Sequence, residues 1–148
     1  MKKYIASFAT TLLLTATAVF GQDILPSQVP SVIANSFSKE FPKASDIEWE
    51  IDGQNYRVEF EIGWSTDHEV WYDAAGNKLR HEEEISKGDL PKAVTAKIST
   101  DFPGLRIDGI EKITQGSQVS YAVDLENFSE EWKVILSDTG EVLHKTRD

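Results

Sequence analysis

The 148-residue sequence has no cysteine, which excludes a disulfide framework and the lipidated cysteine of a bacterial lipoprotein. Basic residues are scarce as well, 15 against 25 acidic ones, for a formal charge of −10. DNA, RNA and anionic headgroups are held by clustered Lys and Arg, so this balance argues against them as partners. A basic protein surface or cations would be tolerated, and the acidity also serves solubility. Long apolar runs are confined to the start of the chain. There Lys2 and Lys3 precede an uncharged stretch from Ile5 to Phe20, with small or apolar Val19 and Gly21 just before Gln22. This has the layout of a secretory signal peptide spanning residues 1–21. The run is short for a membrane anchor, which needs roughly 20 strongly apolar residues. We therefore expect cleavage after Gly21, no membrane insertion afterwards, and a periplasmic or secreted bacterial protein. Removal of the leader leaves 13 basic and 25 acidic residues, a formal −12.

What is present is a pattern that occurs twice. Val29, Val32, Ile33, Phe37 and Phe41 recur at three- and four-residue spacing, which predicts an amphipathic helix over Ser27 to Phe41. Pro30 suits its first turn and Pro42 its end. Sixty-one positions later, Leu90, Ala93, Val94, Ile98 and Phe102 repeat the stripe, while Pro91 and Pro103 repeat the punctuation. After each helix the period changes to two. Ile47, Trp49 and Ile51 alternate with acids, Asp52-Gly53 signals a hairpin, and Tyr56, Val58, Phe60 and Ile62 alternate with Arg57, Glu59 and Glu61. Further strands are expected at His68 to Asp73 and from Lys78 to about Glu84. The second set is expected at Arg106 to Ile113, Val119 to Glu126, Glu131 to Ser137 and Glu141 to Thr146.

The expected fold is α+β. A helix plus a four-stranded antiparallel meander occurs in tandem, at 22–86 and 87–148, as one integrated domain. Side by side the two units would form a continuous, curved, eight-stranded sheet with both helices on one face. The opposite face would be open, as antiparallel sheets allow.

The helix exits Phe41-Pro42 and Phe102-Pro103, the IEWEIDGQNYRVEF stretch at Ile47 to Phe60 and the DAAGN turn at Asp73 to Asn77 resemble the PepSY-like family. So do YAVDLE at Tyr121 to Glu126 and SDTGEV at Ser137 to Val142. The family is also described as β-lactamase-inhibitor-like, and the resemblance covers essentially all of the chain after the leader. It implies an exported bacterial protein of tandem helix-plus-four-strand units. It also implies an open, curved sheet of the kind that β-lactamase inhibitor proteins use to grip an enzyme.

No catalytic constellation stands out. Ser36-Phe37-Ser38-Lys39 fits S-x-x-K, but the companion S-D-N and K-T-G elements are missing, so it reads as helix surface. His68, His81 and His144 lack the close spacing of a zinc helix or finger, and no metal or cofactor is expected. Asp73 with Asn77, and Asp138 with Glu141, lack the alternating ligands of a calcium loop and read as turns. Glu82-Glu83-Glu84 reads as a solvated strand end. The aromatic residues carry more. Trp49, Tyr56, Phe60 and Tyr72 follow the buried parity, whereas Trp71 shares its face with Glu69 and Asp73. Trp64 and Phe128 fall in equivalent hairpin loops. Aromatic side chains ringed by charge are typical interface anchors. The expectation is a non-enzymatic module that binds a protein or peptide of the cell envelope, with Trp64, Trp71 and Phe128 as anchors and Arg57, Glu59 and Glu61 setting polarity. The alternative is a periplasmic carrier of a small ligand or cation on the acidic face.

Overall fold

A computed structural model describes residues 21–64 and 66–147. The signal-peptide reading falls almost wholly on residues 1–20, outside the described residues. No helix among the described residues is long and apolar enough to cross a membrane. The fold is α+β, with two helices and one antiparallel sheet. Its strands, in chain order, are β1 (Gln22–Ile24), β2 (Ala44–Asp52), β3 (Asn55–Ile62), β4 (Thr66–Tyr72), β5 (Lys78–Glu84), β6 (Arg106–Gln115), β7 (Gln118–Glu126), β8 (Glu131–Ser137) and β9 (Val142–Arg147). Helix α1 (Ser31–Glu40) joins β1 to β2, and α2 (Lys92–Asp101) joins β5 to β6. Spatial order follows sequence order throughout, so the sheet is one nine-stranded meander.

Three details depart from the sequence expectation. The sheet has nine strands rather than eight, because Gln22–Ile24 pairs with β2 and covers an edge that would otherwise be open. The first helix is shorter than Ser27 to Phe41. Leu25 to Val29 form a 3-10 turn and its caps, and α1 starts after Pro30. Proline biases the residue before it toward extended geometry, and Val29 has φ −75° and ψ 128°, so Pro30 divides the stretch instead of sitting inside it. Ile47 is exposed rather than buried, since the β2–β3 register shifts between Ser45 and Glu48, where Asp46 adopts φ 49°.

Residues that face each other across an antiparallel ladder lie on the same side of the sheet. One such row runs Phe60, His68, Glu83, Lys112, Tyr121, Leu136 from β3 to β8. Its first member belongs to a cluster in which Val29, Ile33 and Phe37 meet Trp49, Val58, Phe60, Val70 and Tyr72. Its last two belong to a second cluster, in which Leu90, Val94 and Ile98 meet Ile110, Tyr121, Val123, Leu125, Val134 and Leu136. Both cores therefore lie on one side, separated by the polar pair Glu83 and Lys112. The parallel row Glu48, Glu59, Glu69, Glu82, Ile113, Ser120, Ser137 occupies the other side.

Candidate functional site

The open side carries a charged lattice at its β2–β5 end. Arg57 on β3 reaches Glu50 at 2.7 Å and Glu69 at 2.8 Å, and also pairs with Glu59. Alternation along β3, with Glu50 and Glu69 directly across or diagonal to Arg57, brings these groups together. Trp71 lies next to Arg57 and Arg80, whose guanidinium carbons are 5.7 and 5.5 Å from its ring centroid. Its indole N–H donates to Asp52 Oδ2 at 2.9 Å. The sequence expectation placed Trp71 on this face, and it is there, but half-buried between two arginines. Cation–π contacts and charge-assisted hydrogen bonds hold the group in a fixed shape.

Toward β6 and β7 the lattice opens into an acidic basin lined by Asp67, Glu69, Glu82, Glu84, Glu111 and Asp124. Burial pushes the Glu111 carboxyl above the usual range, the charges of Glu82, Asp124 and Glu69 add to that, and Lys133 opposes it. Beyond the basin the face becomes apolar, with Ile113 and Ala122 buried and Ile135 half-buried.

The other expected residues sit at the rim. Trp64 follows β3 and is fully exposed, at 100 %. Phe128 lies between β7 and β8 at 113 %, in a turn where the Asn127 side-chain oxygen accepts from the backbone N–H groups of Ser129 and Glu130. Both turns are at the same end of the meander, four strand spacings apart, or roughly 19 Å. Glu61, one residue before the end of β3, stands opposite Ser45 and Asp67. The site residues thus form two sets: Arg57, Glu59 and Trp71 in one lattice, and Trp64 and Phe128 on separate tips. Asp73 behaves as a turn residue. Its carboxylate accepts from the Ala75 and Asn77 backbone N–H groups and from the Asn77 side-chain amide, which hold it below the usual range.

These features belong to a known architecture. The family model described as "Putative beta-lactamase-inhibitor-like, PepSY-like" matches residues 17–77 and 54–144. The chain belongs to the PepSY-like family. Among solved structures, this PepSY-like chain is similar to a BLIP-like protein from Bacteroides fragilis, with 24% identity, a TM-score of 0.69, and coverage of 84% of this chain and 88% of that one. It is also similar to a protein from Bacteroides eggerthii described as a "putative periplasmic protein", with 18% identity, a TM-score of 0.72, and coverage of 80% and 88%. At these identities the likeness is one of fold. The comparison with curated proteins gives no match.

One grouping escaped the sequence reading. His68 on β4 and His81 on β5 meet on the core side, with Nδ1 of the first 3.0 Å from Nε2 of the second. Glu83 stands directly across the ladder from His68. The histidines are thirteen positions apart in the chain, so no local motif announces them. The signal was the hairpin register, since a turn at Asp73 to Asn77 makes 68 and 81 diagonal neighbours.

Proposed function

We propose that this PepSY-like chain is an exported, non-enzymatic binding module that engages a protein or peptide in the bacterial envelope. The working surface is the open side of the sheet together with the two hairpin tips. The observation that carries this reading is the pair of fully exposed aromatics, Trp64 and Phe128, at one end of a rigid charged face. Their separation spans a macromolecular surface better than a single small molecule. Large aromatics that gain most from desolvation dominate such interfaces. The acidic basin selects a partner whose facing surface is basic, with an apolar portion to meet the half-buried Ile135. On this reading the protein is a duplicated helix-plus-meander unit, 22–86 and 87–148, with both helices on one side to leave the other free. The leader-like start supports export to the periplasm.

The test is capture from envelope extract at low salt by the native protein and by a Trp64→Ala/Phe128→Ala variant. Both residues are exposed, so the variant should keep its circular dichroism and melting temperature. A basic protein held by the native chain and lost by the folded variant is the expected result. Equal capture by both would refute the anchor assignment.

A further inference from the structure

We propose that His68, His81 and Glu83 form a binding site for a divalent transition-metal ion of the zinc class, separate from the open face. One ligand atom from each of the three falls within 4.8 Å of the others. The two imidazole nitrogens are 3.0 Å apart. On a tetrahedral zinc with metal–nitrogen bonds near 2.05 Å, two ligand nitrogens stand about 3.3 Å apart. The pair therefore needs to open by only a few tenths of an ångström. Glu83 Oε2 is 4.0 Å from His68 Nδ1 and must close by roughly 0.7 Å to reach the same spacing. The other oxygen, Oε1, is held by Lys112 at 3.0 Å, which leaves Oε2 directed at the histidines. A ligating carboxylate with its second oxygen anchored by an outer partner is a common arrangement at metal sites. The fourth position falls to solvent or to a donor from another molecule.

The surroundings suit imidazole ligation. His68 is only 7% exposed and stacks on Phe60 at 5.1 Å, and Phe41 meets His81 edge-on at 5.4 Å. The rings are thus fixed by packing before an ion arrives. Burial holds both histidines below the ordinary imidazole range, opposed for each by the Glu83 charge. The contact between the two ring nitrogens is a hydrogen bond, and the proton it shares leaves when both lone pairs turn to an ion.

A comparison within the molecule indicates that the fold does not need this cluster. In the second half the same ladder geometry recurs, with Trp132 opposite Arg147 as His68 is opposite Glu83, and Val134 opposite Lys145 as Val70 is opposite His81. There Lys145 and Arg147 lie over the Trp132 ring at 5.8 and 5.9 Å. An aromatic under two cations fills the position that two imidazoles and a carboxylate fill in the first half. The ligand set is specific to one half and is not a packing demand of the architecture.

The deciding experiment is calorimetric titration of zinc into untagged protein that has been stripped with chelator, at pH 7.5. One zinc per chain is expected, and cobalt(II) in its place should give the intense visible bands of a four-coordinate site. His81→Gln and Glu83→Gln should each weaken zinc by about tenfold or more while circular dichroism stays native. His144→Gln, remote from the cluster, should bind as the native chain does. His68→Gln should also lose binding, but His68 is buried, so the two half-buried positions carry the test. No zinc uptake would overturn the proposal. So would uptake that folded His81→Gln leaves unchanged, whatever Glu83→Gln does, because Glu83 also borders the acidic basin and the ion would then sit there.

Discussion

Single residues on the open face are governed by how much water they have lost. Glu111 is half-buried among Glu69, Glu82 and Asp124, so its charged form is penalised in the folded state and its pKa lies above the unfolded value. The folded protein is favoured by this group below the unfolded carboxylate range near pH 4.3, and that advantage is lost as pH rises through the folded value. Glu111→Gln removes the penalty. The expected outcome is a melting temperature a few degrees higher at pH 7 to 8, with the gain shrinking toward pH 4. Thermal melts at both pH values check it, and a variant less stable at neutral pH would contradict the assigned cause. A sequence reading gave no access to this. Parity alone placed the acids on one face, but the desolvation of Glu111 depends on sheet curvature and on strands β4 to β7 meeting. Trp71 is similar: alternation assigned its side of the sheet, whereas its cover of Arg57 and Arg80 comes from neighbouring strands.

At the level of elements, most of the fold was legible because each element satisfies its own local rule. The three- and four-residue stripe gave both helices, period-two alternation gave the first strands, and glycine or Asx turns together with the repeat of the pattern placed the others. The exceptions were local too. Three residues are too short to show a period, which hid β1, and proline's effect on Val29 was outweighed by an apolar stripe that ran through it. The turn before β9 shows how an element is held in place. Gly140 has φ +85°, and a Cβ there would lie 2.6 Å from the Ala93 carbonyl oxygen of α2. Gly53, in the β2–β3 turn, has φ +63° but open space around it. Both positions penalise an L side chain by about 1–2 kcal/mol for backbone conformation. Only Gly140 adds a clash with backbone. Gly140→Ala should therefore destabilise by roughly 3 kcal/mol or more, and Gly53→Ala by about 1. Urea unfolding of the two variants measures the difference, and equal losses would mean that α2 yields freely to the turn.

Across the whole molecule, two apolar cores share one sheet, and what joins them is polar. The β5–β6 ladder pairs His81 with Thr114, Glu82 with Ile113, Glu83 with Lys112 and Glu84 with Glu111. Like charges directly opposite in a ladder destabilise it, and on the core side the join is made by the Glu83–Lys112 ion pair and the His81–Thr114 pair. Each half encloses its own buried valines, Val58 and Val70 in one and Val123 and Val134 in the other. Local opening follows the density of buried apolar contacts, so the join should open before either core does. Native-state amide exchange should show β5 and the facing part of β6 exchanging faster than β3–β4 and β7–β8, with the two cores alike. The same seam holds His81 and Glu83, whose ligation would tie β4 to β5 and slow exchange there selectively. Zinc added to the native protein should then protect 80–84 far more than β7–β8. Uniform protection across all strands would show that the sheet behaves as one cooperative unit, with the polar seam as strong as the cores on either side.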